Sequence, residues 1–223
     1  MARGLLPLTL VVAGCGTGEA GTAGRDSGDT VTSAAPPSSG LPPCADARHL
    51  AVFDVFGFLS MSDGDLRQWM DDPTDTPDVR LGTPETVNTY RSLGYEVLYV
   101  TTVSAETTVD GEPIDEAIGR WLTQHNFPRG EGTSLVVKQS GDATGISDRL
   151  LAFAREGVSV DVAYTDNRQQ AYAAITGGVP PGRTFTLGSA AGAEGSRAIP
   201  EDDVIAHSQH LADLPRVCDV DGP

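Results

Sequence analysis

The apolar positions of this chain fall into short runs separated by amphipathic stretches. Leu50 to Phe58 is almost continuously apolar, interrupted by Asp54 and Gly57. Such a run suits a strand buried on both faces of a parallel sheet. The same texture returns at Tyr95 to Thr102, Ser134 to Val137, Val158 to Tyr164 and Thr184 to Leu187. Helical patterns lie between these runs. Thr83 to Leu93 opens on Pro84 and Glu85, a typical first turn, and stops at Gly94. Pro113 to Asn126 carries Ile114, Ile118, Trp121 and Leu122 along one face. Ile146 to Glu156 is stopped by Gly157, and Asn167 to Thr176 by Gly177 and Gly178. Asp202 to Leu211 reads as a closing helix. Ser60 to Gly82, rich in Asp and Pro, reads as a polar loop.

Repeated strand and helix units predict an α/β fold, a Rossmann-like parallel sheet flanked by helices, with no large cap. Sites in such sheets lie beyond the carboxyl ends of the strands. That rule places Asp54, Thr101, Thr102, Lys138 and Asp166 along one edge.

The ends of the chain differ from this middle. Residues 1–14 read as a secretory signal: Arg3, then an apolar stretch too short for a membrane span. Val12-Ala13-Gly14-Cys15 looks like a bacterial lipobox, which would put diacylglycerol on the Cys15 thiol. The membrane is then a partner through that N-terminal lipid, and the chain sits on the extracytoplasmic face of the bacterial cell membrane. Residues 15–43, rich in Gly, Ser, Thr, Ala and Pro, have no apolar periodicity and read as a flexible tether. Residues 44–218 form the domain.

Cys44 and Cys218 bracket that domain. In an oxidising compartment they are expected to pair, stabilising the fold by roughly 5 kcal/mol through loop closure. Thiol titration checks this: two free thiols in the folded, unreduced protein would exclude the bond. The net charge of −16 argues against nucleic acid as a partner, since no basic stripe exists.

Three strand tips carry candidate chemistry. Asp54-Val55-Phe56-Gly57-Phe58 ends the first strand, Tyr99-Val100-Thr101-Thr102 the second, and Ala163-Tyr164-Thr165-Asp166-Asn167 the fourth. Their order resembles the haloacid-dehalogenase (HAD) superfamily, whose first motif reads Asp-x-Asp-Gly-Thr. Trp121-Leu122-Thr123-Gln124-His125-Asn126-Phe127-Pro128 and Arg183-Thr184-Phe185-Thr186-Leu187-Gly188 bring it nearest to lipin-type, phosphatidate-phosphatase-like domains. The resemblance implies Asp54 as nucleophile, Thr101 as phosphate holder, and Asp54 and Asp166 as magnesium ligands.

Four cooperating groups are changed. The family's second aspartate, a general acid and then a base, is Phe56 here. General acid–base catalysis is typically worth about a hundred- to ten-thousandfold. The threonine that follows the glycine is Phe58, and the second acid of the fourth-strand motif is Gln170. The motif lysine is absent from Thr144 to Ser147, leaving Lys138, Arg149 or Arg168 as substitutes. An aromatic at the Phe56 position also occurs in haloacid dehalogenases, but Ser60 to Gly82 is short for their helical cap.

Each retained residue also has a purely structural explanation. Asp54 would cap the turn through Gly57. Thr101 and Thr102 would be ordinary β-branched strand residues. Asp166 would be a helix N-cap. The expected function is a cell-surface lipoprotein whose catalytically degenerate HAD-like domain binds or scaffolds a protein or lipid partner. The alternative is a magnesium-dependent phosphohydrolase using Asp54.

Overall fold

The computed structural model describes residues 48–61, 63–138, 145–200 and Val204. Cys15, Cys44, Cys218, the proposed signal and tether, and nearly all of the expected closing helix lie outside the described residues.

Strand β1 (Arg48–Asp54) lies at the middle of the sheet, between β2 (Glu96–Ser104) and β6 (Val158–Thr165). β5 (Thr133–Lys138) flanks β2. β7 (Thr184–Thr186) and β8 (Arg197–Ala198) extend the other side, in the order β5-β2-β1-β6-β7-β8, all parallel. A separate two-stranded hairpin pairs β3 (Thr108–Val109) with β4 (Glu112–Pro113).

Alternate strand residues serve opposite faces. Ala51, Phe53, Val97, Tyr99, Val162 and Tyr164 share one core. It is closed by α2 (Thr83–Ser92) and α3 (Ile114–Gln124), with Ile114, Ile118, Trp121 and Leu122 buried as the periodicity predicts. Leu50, Val52, Leu98, Val100, Val160 and Ala163 face a second core with Leu150 and Phe153 of α4 (Gly145–Arg155) and Ala174 of α5 (Arg168–Thr176).

Two expectations need correction. The first apolar run is not one strand. β1 stops at Asp54, and Val55–Leu59 coil into a buried π-helical turn whose Val55 carbonyl accepts from Ser60 N at 3.0 Å. The segment Ser60 to Gly82 is not merely a loop. It contains α1 (Asp63–Asp71), pinned by Trp69, which is fully buried in the first core. The insert is also tied down where Trp121 Nε1 donates to the Pro77 carbonyl at 2.8 Å.

Tyr164 is the hub of the first core. Its ring stacks on Phe53 and Phe185, with centroids 5.2 and 4.9 Å away, and its hydroxyl meets that of Tyr90 at 2.8 Å. Burial raises the phenol pKa of Tyr90, Tyr95, Tyr99 and Tyr164 well above the ordinary 10. The unfolded chain therefore loses these protons first as pH rises, and stability is fully present below about pH 10 and falls above it. Equilibrium urea unfolding from pH 8 to 11.5 should show the midpoint declining only above about pH 10. A midpoint unchanged at pH 11 would refute this.

Candidate active site

The turn after β1 brings two carboxylates together. Gly57 lies beneath them: a β-carbon at that position would sit 2.1 Å from Asp166 Oδ1 and 2.7 Å from Asp54 Oδ2. Both side chains thus reach into the space that a missing side chain leaves. Asp54 is 1 % exposed at the tip of β1, whereas Asp166, just beyond β6, is partly exposed.

Neither acid has the capping role that the sequence offered for it. Asp54 makes no capping hydrogen bond to the turn that follows it. Asn167, not Asp166, caps α5, its Oδ1 accepting from Gln169 N at 2.9 Å and Gln170 N at 3.2 Å. Relieved of that duty, Asp166 turns toward Gly57.

Thr165 is a contact that sequence reasoning missed. Its Oγ1 accepts from Asn167 N at 2.9 Å and donates to Asp54 Oδ2 at 2.7 Å. The hydroxyl also lies 3.5 Å from the Asn167 carbonyl, and the shorter bond to the carboxylate is the stronger use of its single proton. The signal was present in Thr165 itself, a hydroxyl at the end of the fourth apolar run, next to Asp166. Thr101, buried at the neighbouring tip, is held in the same way: its Oγ1 accepts from Val103 N at 3.1 Å. That bond leaves the Thr101 proton for another acceptor. Thr102 is exposed.

The two aromatic replacements have packing roles. Phe56 is buried in the first core with its ring 6.5 Å from that of Trp69. Phe58 is fully buried against Tyr164, with centroids 4.8 Å apart. Neither can exchange a proton.

Arg80 was also missed. Arg80 is 6 % exposed as a residue, and its guanidinium donates to the motif loop's own carbonyls. Nε reaches Phe58 O at 3.1 Å, while Nη2 reaches Gly57 O at 3.2, Met61 O at 3.1 and Ser60 O at 3.3 Å.

The candidate cations are less convergent. Lys138 is exposed on the edge strand, two strands from Asp54. Arg149 lies over the Phe153 ring, 4.5 Å from its centre. Arg168 is exposed in the first turn of α5, two residues beyond Asp166. Thr144 lies outside the described residues.

A hard divalent cation fits this donor set. Magnesium is usually held by one or two carboxylates, with water and substrate phosphate completing its shell. Asp54 and Asp166 supply that pair, and converging like charges favour a cation between them. Among the described residues no group of three or more acids, histidines or cysteines forms. Gln170, at the family's second acid position, has a buried Oε1 without a hydrogen-bond partner among the described residues. That atom is a neutral oxygen donor.

A family model described as "PITM 1-3, LNS2 domain" matches residues 52–188, more than half of the chain. The chain belongs to the LNS2 domain family. The match spans β1 through β7 and so includes all three motif tips. The fold of this LNS2 domain is similar to that of D,D-heptose 1,7-bisphosphate phosphatase from B. bronchiseptica, solved with magnesium and phosphate. The TM-score is 0.52 at 16 % identity, covering 74 % of this chain and 98 % of that one. The corresponding enzyme from Burkholderia thailandensis aligns over 74 % of this chain and 99 % of its own, with TM-score 0.43 and 16 % identity. No curated protein sequence matches. The LNS2 domain therefore shares the α/β fold of the B. bronchiseptica protein.

Proposed function

We propose that this LNS2 domain binds the phosphate group of a ligand together with magnesium, and that it turns over ordinary phosphate esters little or not at all. The observation that carries this is the pairing of a retained cradle with a lost acid. Asp54 and Asp166 converge over Gly57, while Phe56 is packed in the core beside Trp69. Asp54 and Asp166 would hold the cation, which would offset phosphate charge. Thr101 would donate its remaining proton to a phosphoryl oxygen. An alkoxide leaving group needs a proton, and a phenyl ring supplies none.

Thermal unfolding of the full chain with magnesium and inorganic phosphate tests the binding. The transition should rise only when both are present, and Asp166→Asn should abolish the rise. Sustained magnesium-dependent hydrolysis of an alkyl phosphate, lost in Asp54→Asn, would instead establish the phosphohydrolase.

The N-terminal features support a surface location for the same site. Attachment through a lipidated Cys15 would hold the domain outside the cell membrane. Replacing Cys15 with Ser should then move the protein from the membrane to the soluble fraction. Retention of that variant at the membrane would argue against lipid anchoring.

A further inference from the structure

We infer that the open edge of β5, with the groove between it and α3, binds an extended polypeptide segment whose terminal carboxylate is taken by Arg129. The segment adds a seventh strand to the six-stranded sheet, antiparallel to β5.

β5 is the last strand on its side of the sheet, paired with β2 alone among the described residues. In that parallel ladder Val97 N donates to Gly132 O at 2.9 Å. Gly132, Ser134 and Val136 therefore turn their backbone groups toward β2, which leaves those of Leu135 and Val137 on the open side. Leu135, Val136 and Val137 are all half-buried. An apolar edge of this kind is a template for another strand, and edges that stay single are blunted by charge or proline. The one charge on β5 is its last residue, Lys138.

Asp115, Arg129, Gly130, Thr133, Ser134 and Leu135 line an open groove of about 340 Å³ along this edge. Arg129 has a seat made for it on α3. A β-carbon on Gly119 would come 2.9 Å from Arg129 Nη2 and 3.5 Å from its Cζ. Glycine inside a helix is disfavoured relative to alanine, and at Gly119 it makes room for the guanidinium. The residues just before Arg129 are fixed as well. Phe127 is buried against Trp121, with centroids 5.6 Å apart, and Tyr99 Oη donates to Pro128 O at 2.8 Å. Arg129 itself is exposed and forms no ion pair among the described residues, not even with Asp115. A positioned guanidinium of this kind matches a carboxylate, which accepts two parallel N–H bonds from it.

The direction of the added strand follows from where Arg129 stands. It lies at the start of β5, where Thr133 N donates to Gly130 O at 3.0 Å. A carboxylate held there ends a strand that runs against β5. Asp115, exposed on the same groove, receives a basic side chain of the segment, and the net charge of −16 favours a cationic partner.

Fluorescence anisotropy of the full chain with N-terminally labelled Gly-Val-Lys-Val-Val tests this, once with a free C-terminus and once amidated. The free acid should bind saturably, and the amide at least about tenfold more weakly. Arg129→Gln should weaken the acid to the level of the amide and leave amide binding unchanged, a loss of discrimination that a weakened fold would not give. With the wild-type chain, the peptide should slow amide exchange at Leu135 and Val137. No binding of the free acid up to about 1 mM would overturn the inference, as would equal binding of both forms or binding without protection of those two amides. A dimer that protects them without peptide would also overturn it, since the edge would then belong to a second copy of the chain.

Discussion

Replacing Gly57 with Ala should abolish magnesium-dependent phosphate binding while leaving the fold in place. The added methyl would lie 2.1 Å from Asp166 Oδ1, 2.8 Å from Asp166 Cγ and 2.7 Å from Asp54 Oδ2. None of these is a tolerable contact, so something must move. Gly57 has φ 176°, an extended value open to any residue, so the conflict is one of space and not of backbone strain. Asp54 is buried and tied to Thr165, whereas Asp166 is partly exposed and is the one expected to shift. Its departure relieves the clash and separates the two carboxylates. The stability cost should be about 1–3 kcal/mol, as for other overpacked sites. The loss of affinity should exceed about tenfold, or 1.4 kcal/mol. Gly182→Ala is the control: a β-carbon there meets nothing within 4 Å and no positive φ opposes it. Titration calorimetry of both variants decides the matter. An alanine at position 57 that binds as tightly as wild type would remove the cradle from the account.

Much of this arrangement was legible in the sequence. Apolar runs and glycine stops gave the strand and helix order, because a doubly covered parallel sheet leaves strands with little polar content. Asp54, Thr101 and Asp166 were singled out because strand tips are where such sheets put chemistry, and the structure places each near or just beyond a strand end. The exceptions have physical causes. An apolar run does not record where a strand becomes a buried turn, so Val55 to Leu59 read as more of β1. Helix α1 is mostly polar and is held by Trp69, with Leu66 packed against the same core, too few apolar positions for periodicity to register. Phe56 read as a lost acid, and only Trp69 explains what replaced it: a packing contact that seats the insert on the motif loop. Arg80 was invisible because its partners are backbone carbonyls, which every residue possesses.

Removing the Arg80 guanidinium should produce the largest loss of stability at the site. Four carbonyls of one short segment, those of Gly57, Phe58, Ser60 and Met61, point at this side chain. Three of them share Nη2, which carries two hydrogens, so the Nε–Nη2 edge of the guanidinium is fully used. Among the described residues no carboxylate forms an ion pair with Arg80; the carbonyl dipoles stabilise the buried charge. Arg80 also belongs to the backbone frame of the loop, its N donating to Leu59 O at 2.8 Å and its O accepting from Thr83 Oγ1 at 2.7 Å. Arg80→Met keeps the aliphatic stem and strips the donors. Each buried carbonyl left without a partner costs about 1–3 kcal/mol, and relaxation recovers part of it, so a loss of about 3–5 kcal/mol is expected. For a chain of this size that corresponds to a fall in Tm of about 10 °C. Arg80→Lys should recover only part of the loss, because an ammonium cannot reproduce the planar fork. The loop that Arg80 gathers contains Gly57, so magnesium-dependent phosphate binding should weaken in both variants even below their transitions. A methionine variant melting within about 2 °C of wild type, a difference worth no more than about 1 kcal/mol, would show that the loop closes without its arginine.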